Sequence, residues 1–154
     1  MKERHPLRGR AVVLGAKGAI GAALADCLDV NPAIERVYCG ARTGRHTGES
    51  KRRPFEFDLC DEQSIAAAAA NIGADGPVDL VLVATGALHG DGMQPEKTWR
   101  DFSASQFERM FAINATGPAL VAKHFLPLLS KERRSIFAAL SARVKESFDP
   151  RHIF

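Results

Sequence analysis

The sequence predicts an α/β fold, a doubly wound parallel sheet of about five strands, on three observations. Apolar runs alternate with amphipathic stretches along nearly the whole chain. Asp79–Ala84 (DLVLVA) is continuously apolar after its first residue, as in a central strand covered on both faces. Ala11–Leu24 (AVVLGAKGAIGAAL) reads as a buried strand, a glycine turn and the start of a helix.

Taken in order, Arg10–Leu14 is a first strand, and Ile20–Leu28 a helix that stops before Asn31-Pro32. Arg36–Gly40 (RVYCG) is a second strand and Phe55–Leu59 a short third one. Asp61 is placed to cap a helix through the alanine run Ala66–Ala70, a composition with high helix propensity, and Gly73–Pro77 stops it. Asp79–Ala84 follows as a fourth strand. Gly86–Phe102 is rich in loop formers, after which Ser103 caps a long helix to about Leu129, with a kink expected at Pro118. Ser135–Leu140 (SIFAAL) is a fifth strand. Right-handed crossovers then give a strand order near 3-2-1-4-5.

At 154 residues and 45% hydrophobic composition the chain can bury one ordinary core, so one domain over 1–154 is expected. The 21 basic and 18 acidic side chains are well mixed, and the formal charge of +3 makes no case for nucleic acid. Arg42, Arg45, His46, Lys51, Arg52 and Arg53 form the one basic cluster, either solvated loop charge or a phosphate-facing patch. Cys27, Cys39 and Cys60 lack metal spacing, and Cys27 and Cys39 read as buried free thiols. No apolar run reaches the ~18 residues of a membrane span, and Met1–Pro6 lacks a signal-peptide core. A soluble, cytoplasmic protein is expected.

The chemistry concentrates at predicted strand ends. Gly15, Gly18 and Gly21 stand where a chain must turn tightly, admit a pyrophosphate and pack a helix on a strand, the pattern of a dinucleotide site. An acid after the second strand would favour NAD. Gly40-Ala41 is instead followed by Arg42, with no acid before Glu49, which points to NADP, as Lys17 in the glycine loop does more weakly; the alternative is that Arg42 merely faces solvent. Asp58 either accepts from an adenine amino group or helps cap the next helix. Ala84-Thr85-Gly86 ends the fourth strand on the ligand side of such a sheet. Asn114, an amide inside the apolar stretch MFAINATGPAL, either serves catalysis or satisfies a kink at Gly117-Pro118. Ser141 directly follows the fifth strand.

In this order the residues resemble the short-chain dehydrogenase/reductase family. The glycine turn, Asp58-Leu59, Ala84-Thr85-Gly86-Ala87, Asn114 and Ser141 match its succession of motifs. The strings DLVLVATGALHGDGMQPEKTW, FAINATGPALVAKHFLPLL and SIFAALSARV look like its C-factor-like (C-signal) branch. The likeness covers about residues 10–144. It implies a Rossmann-like fold and NAD(P)-dependent oxidoreduction of a carbonyl or alcohol. By resemblance Gly15, Gly18, Ile20 and Gly21 line the pyrophosphate, Arg42 the adenosine end, Asp58 and Leu59 the adenine, and Ala84 to Gly86 the ribose. Asn114 then helps hold a proton-relay water, and Ser141 hydrogen-bonds the substrate oxygen. The helix over 103–129 resembles one that relatives use for subunit pairing.

Two departures stand out. In the family's TGxxxGxG pattern, Leu14 replaces the threonine, Ala19 the middle glycine, and Gly18 sits one position early, as in a GxxGxxG version. The family's acid–base pair, YxxxK after the serine, is absent: the one tyrosine is Tyr38, and the tail VKESFDPRHIF no longer resembles the family after Val144. Hydride transfer to a carbonyl leaves an alkoxide that needs a proton, and neither Lys123 nor Lys145 has a phenol partner, while His152 lies in the divergent tail. The sequence therefore predicts a dinucleotide-binding portion without its last two strands and without dehydrogenase turnover of its own. A non-enzymatic nucleotide-binding or signalling protein is the alternative.

Overall fold

In the computed structural model the described residues are 7–43, 50–86, 100 and 103–140. They form one parallel sheet of five strands in the order 3-2-1-4-5. Strand β1 (Gly9–Leu14) lies at its centre, flanked by β2 (Ile34–Ala41) and β4 (Leu80–Val83). β3 (Arg52–Glu56) and β5 (Ile136–Ala139) are the outer strands.

The alternation along β1 explains the layering. Ala11 and Val13 point to one face, where they pack with Ala25 of helix α1 (Ala19–Val30), Ile34 and Val37. Val12 and Leu14 point to the other, against Ile65, Ala68 and Ile72 of α2 (Glu62–Ala74), and against Val121 and Phe125 further along. All four β1 side chains are fully buried, which only a strand covered on both sides achieves. Phe125 is the largest of the fully buried side chains, worth about 3 kcal/mol of burial at most.

Three sequence expectations need correction. The third strand runs Arg52–Glu56 rather than Phe55–Leu59, with Pro54 inside it, so Asp58 and Leu59 follow the strand instead of ending it. Val37 N–H donates to the Lys51 carbonyl and Phe57 N–H to the Ala41 carbonyl. Odd-numbered residues of β3 therefore face β2, and Pro54 turns its missing N–H outward on an edge strand, where nothing is lost.

The long helix is broken. It comprises α3 (Ala104–Phe111), a π turn over Ala112–Thr116, α4 (Gly117–Phe125) and a 3₁₀ turn over Leu126–Leu128. Pro118 has no N–H for the Asn114 carbonyl, and its ring crowds that oxygen in α geometry. The chain answers by widening the preceding turn, with Gly117 N–H donating to the Ala112 carbonyl. Ser103 begins α3 but does not cap it, its hydroxyl lying 2.9 Å from that of Ser105.

The thiols are also more open than expected. Cys27 and Cys60 are exposed and Cys39 half-buried, and all three are free. Burial pushes the Cys39 thiol above its ordinary pKa. Among the described residues no helix is long and apolar enough to cross a membrane.

At the N-terminal edge of the sheet, the buried Asp79 carboxylate accepts from the Arg10 backbone N–H at 2.9 Å and from both Nε and an Nη of Arg133. Gly9, at φ +100°, leaves room for that carboxylate, since a Cβ there would overlap it. This clasp ties β1 and β4 to the loop entering β5.

Candidate functional site

The opposite edge, where the strands end, gathers most of the predicted site residues. Gly15 leaves β1 at φ +88°, a conformation natural to glycine, and a Cβ there would lie 2.7 Å from the Ala84 carbonyl oxygen. Its carbonyl accepts from Gly18 N–H at 3.0 Å and closes the turn. Gly21, buried one turn into α1, allows that helix to rest on the Gly15 carbonyl group. Gly18 differs from both. Among the described residues the one atom near a Cβ built there is the Gly15 oxygen at 3.4 Å, which leaves the space above it open.

Gly18 at the N-cap of α1 has no side chain to cap it, and the first turn holds no acid. Its leading N–H groups lack intrahelical partners by geometry, and the helix dipole adds a positive potential. The contrast with α2 is direct: Asp61 accepts from Gln63 N–H at 2.9 Å, and Glu62 follows it. Ile20 is 60% exposed beside the turn, unusual for so large an apolar side chain. Lys17 folds toward β2, its ammonium donating to the Thr43 hydroxyl at 2.6 Å, next to the exposed Arg42.

The rest of the basic cluster serves the fold. Arg52 pairs with Asp26 and Asp29 of α1, Lys51 Nζ donates to the Asn31 carbonyl, and Arg53 donates to the carbonyls of Ser50 and Arg52. The Arg52 guanidinium is held above its usual pKa chiefly by its hydrogen bond to Asp26. Arg45 and His46 lie outside the described residues.

Beyond β3, Asp58 is exposed, its carboxylate accepting from Cys60 N–H at 2.9 Å in a local turn. Leu59 is buried and supports Gly117, where a Cβ would meet Leu59 methyl carbons within 3.0 Å. This close approach sets the start of α4, and with it the π turn, over the end of β3. Asn114 sits in that turn, exposed rather than sunk in apolar surroundings as its sequence context suggested. Its Nδ2 is 3.9 Å from Met110 Sδ, and its Oδ1 is 3.5 Å from where a Gly86 Cβ would be. Ala84, Thr85 and Gly86 thus stand between the glycine turn and Asn114. Ser141, Lys145 and His152 lie outside the described residues. Among those described, no group of three His, Cys, Asp or Glu side chains is placed to hold a metal.

Two features escaped the sequence reading. Thr85 Oγ1 and Gln106 Oε1 are buried without a hydrogen-bond partner among the described residues. Gln106 shares a helical face with Met110, a spacing of four that offered a signal in the sequence. Lys123 is not a spare cation: it donates to Glu62 at 2.6 Å, and His124 Nε2 lies 3.0 Å from the same carboxylate oxygen. Lys123 first, then His124, lowers the Glu62 pKa. The phenol of Tyr38 is committed to Asp75 at 2.5 Å, past the C-terminal end of α2 and so at the far edge of the sheet from Gly15. That hydrogen bond is the largest cause lowering the Asp75 pKa, ahead of Arg36.

A parallel sheet wound in both directions from its centre, with a glycine turn at the point of reversal, defines a nucleotide-binding class of α/β domain. The short chain dehydrogenase family model matches residues 10–141, and the chain belongs to that family. A curated relative, the short chain dehydrogenase tazN of Aspergillus terreus, is 29% identical over 141 residues, an alignment covering 81% of this chain and 29% of the relative.

Among solved structures, an NADPH-bound carbonyl reductase from chicken fatty liver superposes with a TM-score of 0.67 at 20% identity, over 80% of this chain and 49% of its own. The ligand-free aldohexose dehydrogenase of Thermoplasma acidophilum gives 0.72 at 17% identity, over 87% and 49%. A metagenomic short-chain oxidoreductase in complex with NADP gives 0.69 at 24%, over 86% and 62%. The chain thus spans under a third of the curated relative and about half to two thirds of these structures.

Proposed function

We propose that this chain is the dinucleotide-binding portion of a short-chain dehydrogenase/reductase, a single Rossmann-like domain that takes NADP(H) in preference to NAD(H). The observation that carries the reading is the uncapped start of α1 above the open space at Gly18. A diphosphate fits the donor set there: backbone N–H groups, a positive helix end and no competing carboxylate. In this reading Gly15, Gly18, Ile20 and Gly21 hold the pyrophosphate. Arg42, with Lys17 beside it at Thr43, meets a 2′-phosphate. Asp58 and Leu59 border the adenine, and Ala84, Thr85 and Gly86 the ribose.

When bound, a reduced nicotinamide supplies a hydride to a carbonyl carbon. Asn114 positions a water for the proton path. Ser141 hydrogen-bonds the substrate oxygen. The proton donor is the missing part. Within these 154 residues no YxxxK occurs, and Tyr38 is spent on Asp75. The polypeptide as given therefore binds the dinucleotide without turning over an alcohol or carbonyl. The same fact favours one alternative, a nucleotide-binding signalling protein of the C-factor type, the branch its longer sequence strings resemble. Pairing of two copies through 103–129 and residence in the cytoplasm, where the three free thiols stay reduced, complete the reading.

Calorimetric titration with NADPH and NADH tests it. Binding of both, tighter for NADPH, is expected, together with silence in a carbonyl-reductase assay. Failure of either nucleotide to bind removes the cofactor reading, and clear turnover removes the claim about the missing phenol.

A further inference from the structure

We propose that Leu59 is a positioning residue for Asn114: wedged against Gly117, its side chain sets where the π turn stands and so where the carboxamide meets the end of β4. The role of Asn114 in this inference rests on the dinucleotide reading above. The contact is close. A Cβ at Gly117 would lie 2.5 Å from Leu59 Cγ, 2.9 Å from Cδ2 and 3.0 Å from Cδ1. The first distance is about 1 Å short of ordinary carbon–carbon contact, so a larger residue at 117 must push either Leu59 or the helix aside.

Leu59 is the fixed partner. It is buried, and its neighbours are tied on both sides. Asp58 N–H donates to the Ser64 hydroxyl at 2.9 Å, Cys60 N–H to the Asp58 carboxylate at 2.9 Å, and Asp61 N–H to the Asp58 carbonyl at 3.2 Å. Asp61 then caps α2. Further along α4, Val121 and Phe125 follow Gly117 at helical spacing on one face, and both are fully buried in the core. Displacement at Gly117 therefore tilts the start of α4 rather than sliding the whole helix. The π turn takes up that movement, because Gly117 N–H is its donor to the Ala112 carbonyl. Asn114 stands in the middle of the turn, its Oδ1 3.5 Å from where a Gly86 Cβ would be. A displacement of about 1 Å is enough to carry a hydrogen-bonding group out of range of the water or ligand it serves.

A size exchange tests this. Gly117→Ala is expected to move the side-chain amide NMR resonance of Asn114, assigned by its loss in Asn114→Ser, and to lower the melting temperature. Leu59→Ala vacates the space that the new methyl needs. Combining Leu59→Ala with Gly117→Ala should return the resonance toward its wild-type position and cost less stability than the two single changes added together. Gly73→Ala is the control, since it directs a methyl at Leu128, at the other end of the same α2–α4 contact. It should leave the Asn114 resonance in place whatever it does to the melting temperature. If Gly117→Ala does not fold, recovery of folding on adding Leu59→Ala supports the wedge, and continued unfolding sinks it. An unmoved Asn114 resonance in Gly117→Ala, an equal movement in Gly73→Ala, or strict additivity in the double variant overturns the assignment. NADPH titration of the wild-type chain is a separate readout. Absence of binding there removes the dinucleotide reading, whereas the size exchange alone decides whether Leu59 places Asn114.

Discussion

Gly18 and Gly21 sit three residues apart and face different demands. A methyl at Gly21 would run into the Gly15 carbonyl group, its carbon 2.8 Å from Gly15 C, and only backbone movement relieves that. Gly21→Ala should therefore cost roughly 1–3 kcal/mol of stability and weaken nucleotide binding as a by-product. Gly18 has φ −70°, which alanine adopts freely, and open space before it. Gly18→Ala should change stability by no more than about 0.5 kcal/mol yet reduce NADPH affinity at least roughly tenfold, since the methyl stands where a phosphate approaches. Urea melts and calorimetry on the two variants check the contrast, and equal nucleotide affinity for Gly18→Ala and wild type would count against the site. At this scale the sequence was informative wherever backbone geometry demanded a residue type, as at Gly15. It was silent about Lys17 reaching Thr43 or Lys123 reaching Glu62, pairings that depend on where distant strands and helices come to lie.

Between elements, two polar links hold the layers and respond differently to change. The Asp79 clasp is buried, so Asp79→Ala strands the Arg10 N–H and loosens Arg133 together. A loss of about 2–4 kcal/mol in denaturant unfolding is expected, with the slope unchanged. Glu62 joins α2 to α4 at the surface. Because Lys123 and His124 lower its folded pKa, its contribution is fully present above the usual glutamate value and fades as pH falls through the folded one. Wild type should lose more stability than Glu62→Gln between pH about 5 and about 3, and parallel acid limbs for the two would show that the link adds nothing.

Element boundaries also show what periodicity cannot read. The β1 turn and the Asp61 cap were legible because each rests on local chemistry. The β3 boundary was not, since Pro54 breaks a strand in general and is harmless only on an outward-facing edge. The π turn was half legible: Pro118 announced a disturbance, whereas its form depended on Gly117 packing over Leu59.

For the whole molecule, a ligand that binds only the folded state must stabilise it. NADPH at about a hundred times its dissociation constant adds about 2.7 kcal/mol, a rise of roughly 5–10 °C in melting temperature for a chain of this size. Thermal shift measurements check this, with a smaller rise expected for NADH at equal concentration. The outer strands also set a direction for growth. On one flank Pro54 withholds a donor, and the cations of Arg52 and Arg53 crowd the same short strand, which disfavours a further ladder there. On the other, Ile136–Ala139 ends in small, open alanines with ordinary backbone donors and acceptors. A strand added to this sheet therefore meets fewer obstacles beside β5 than beside β3.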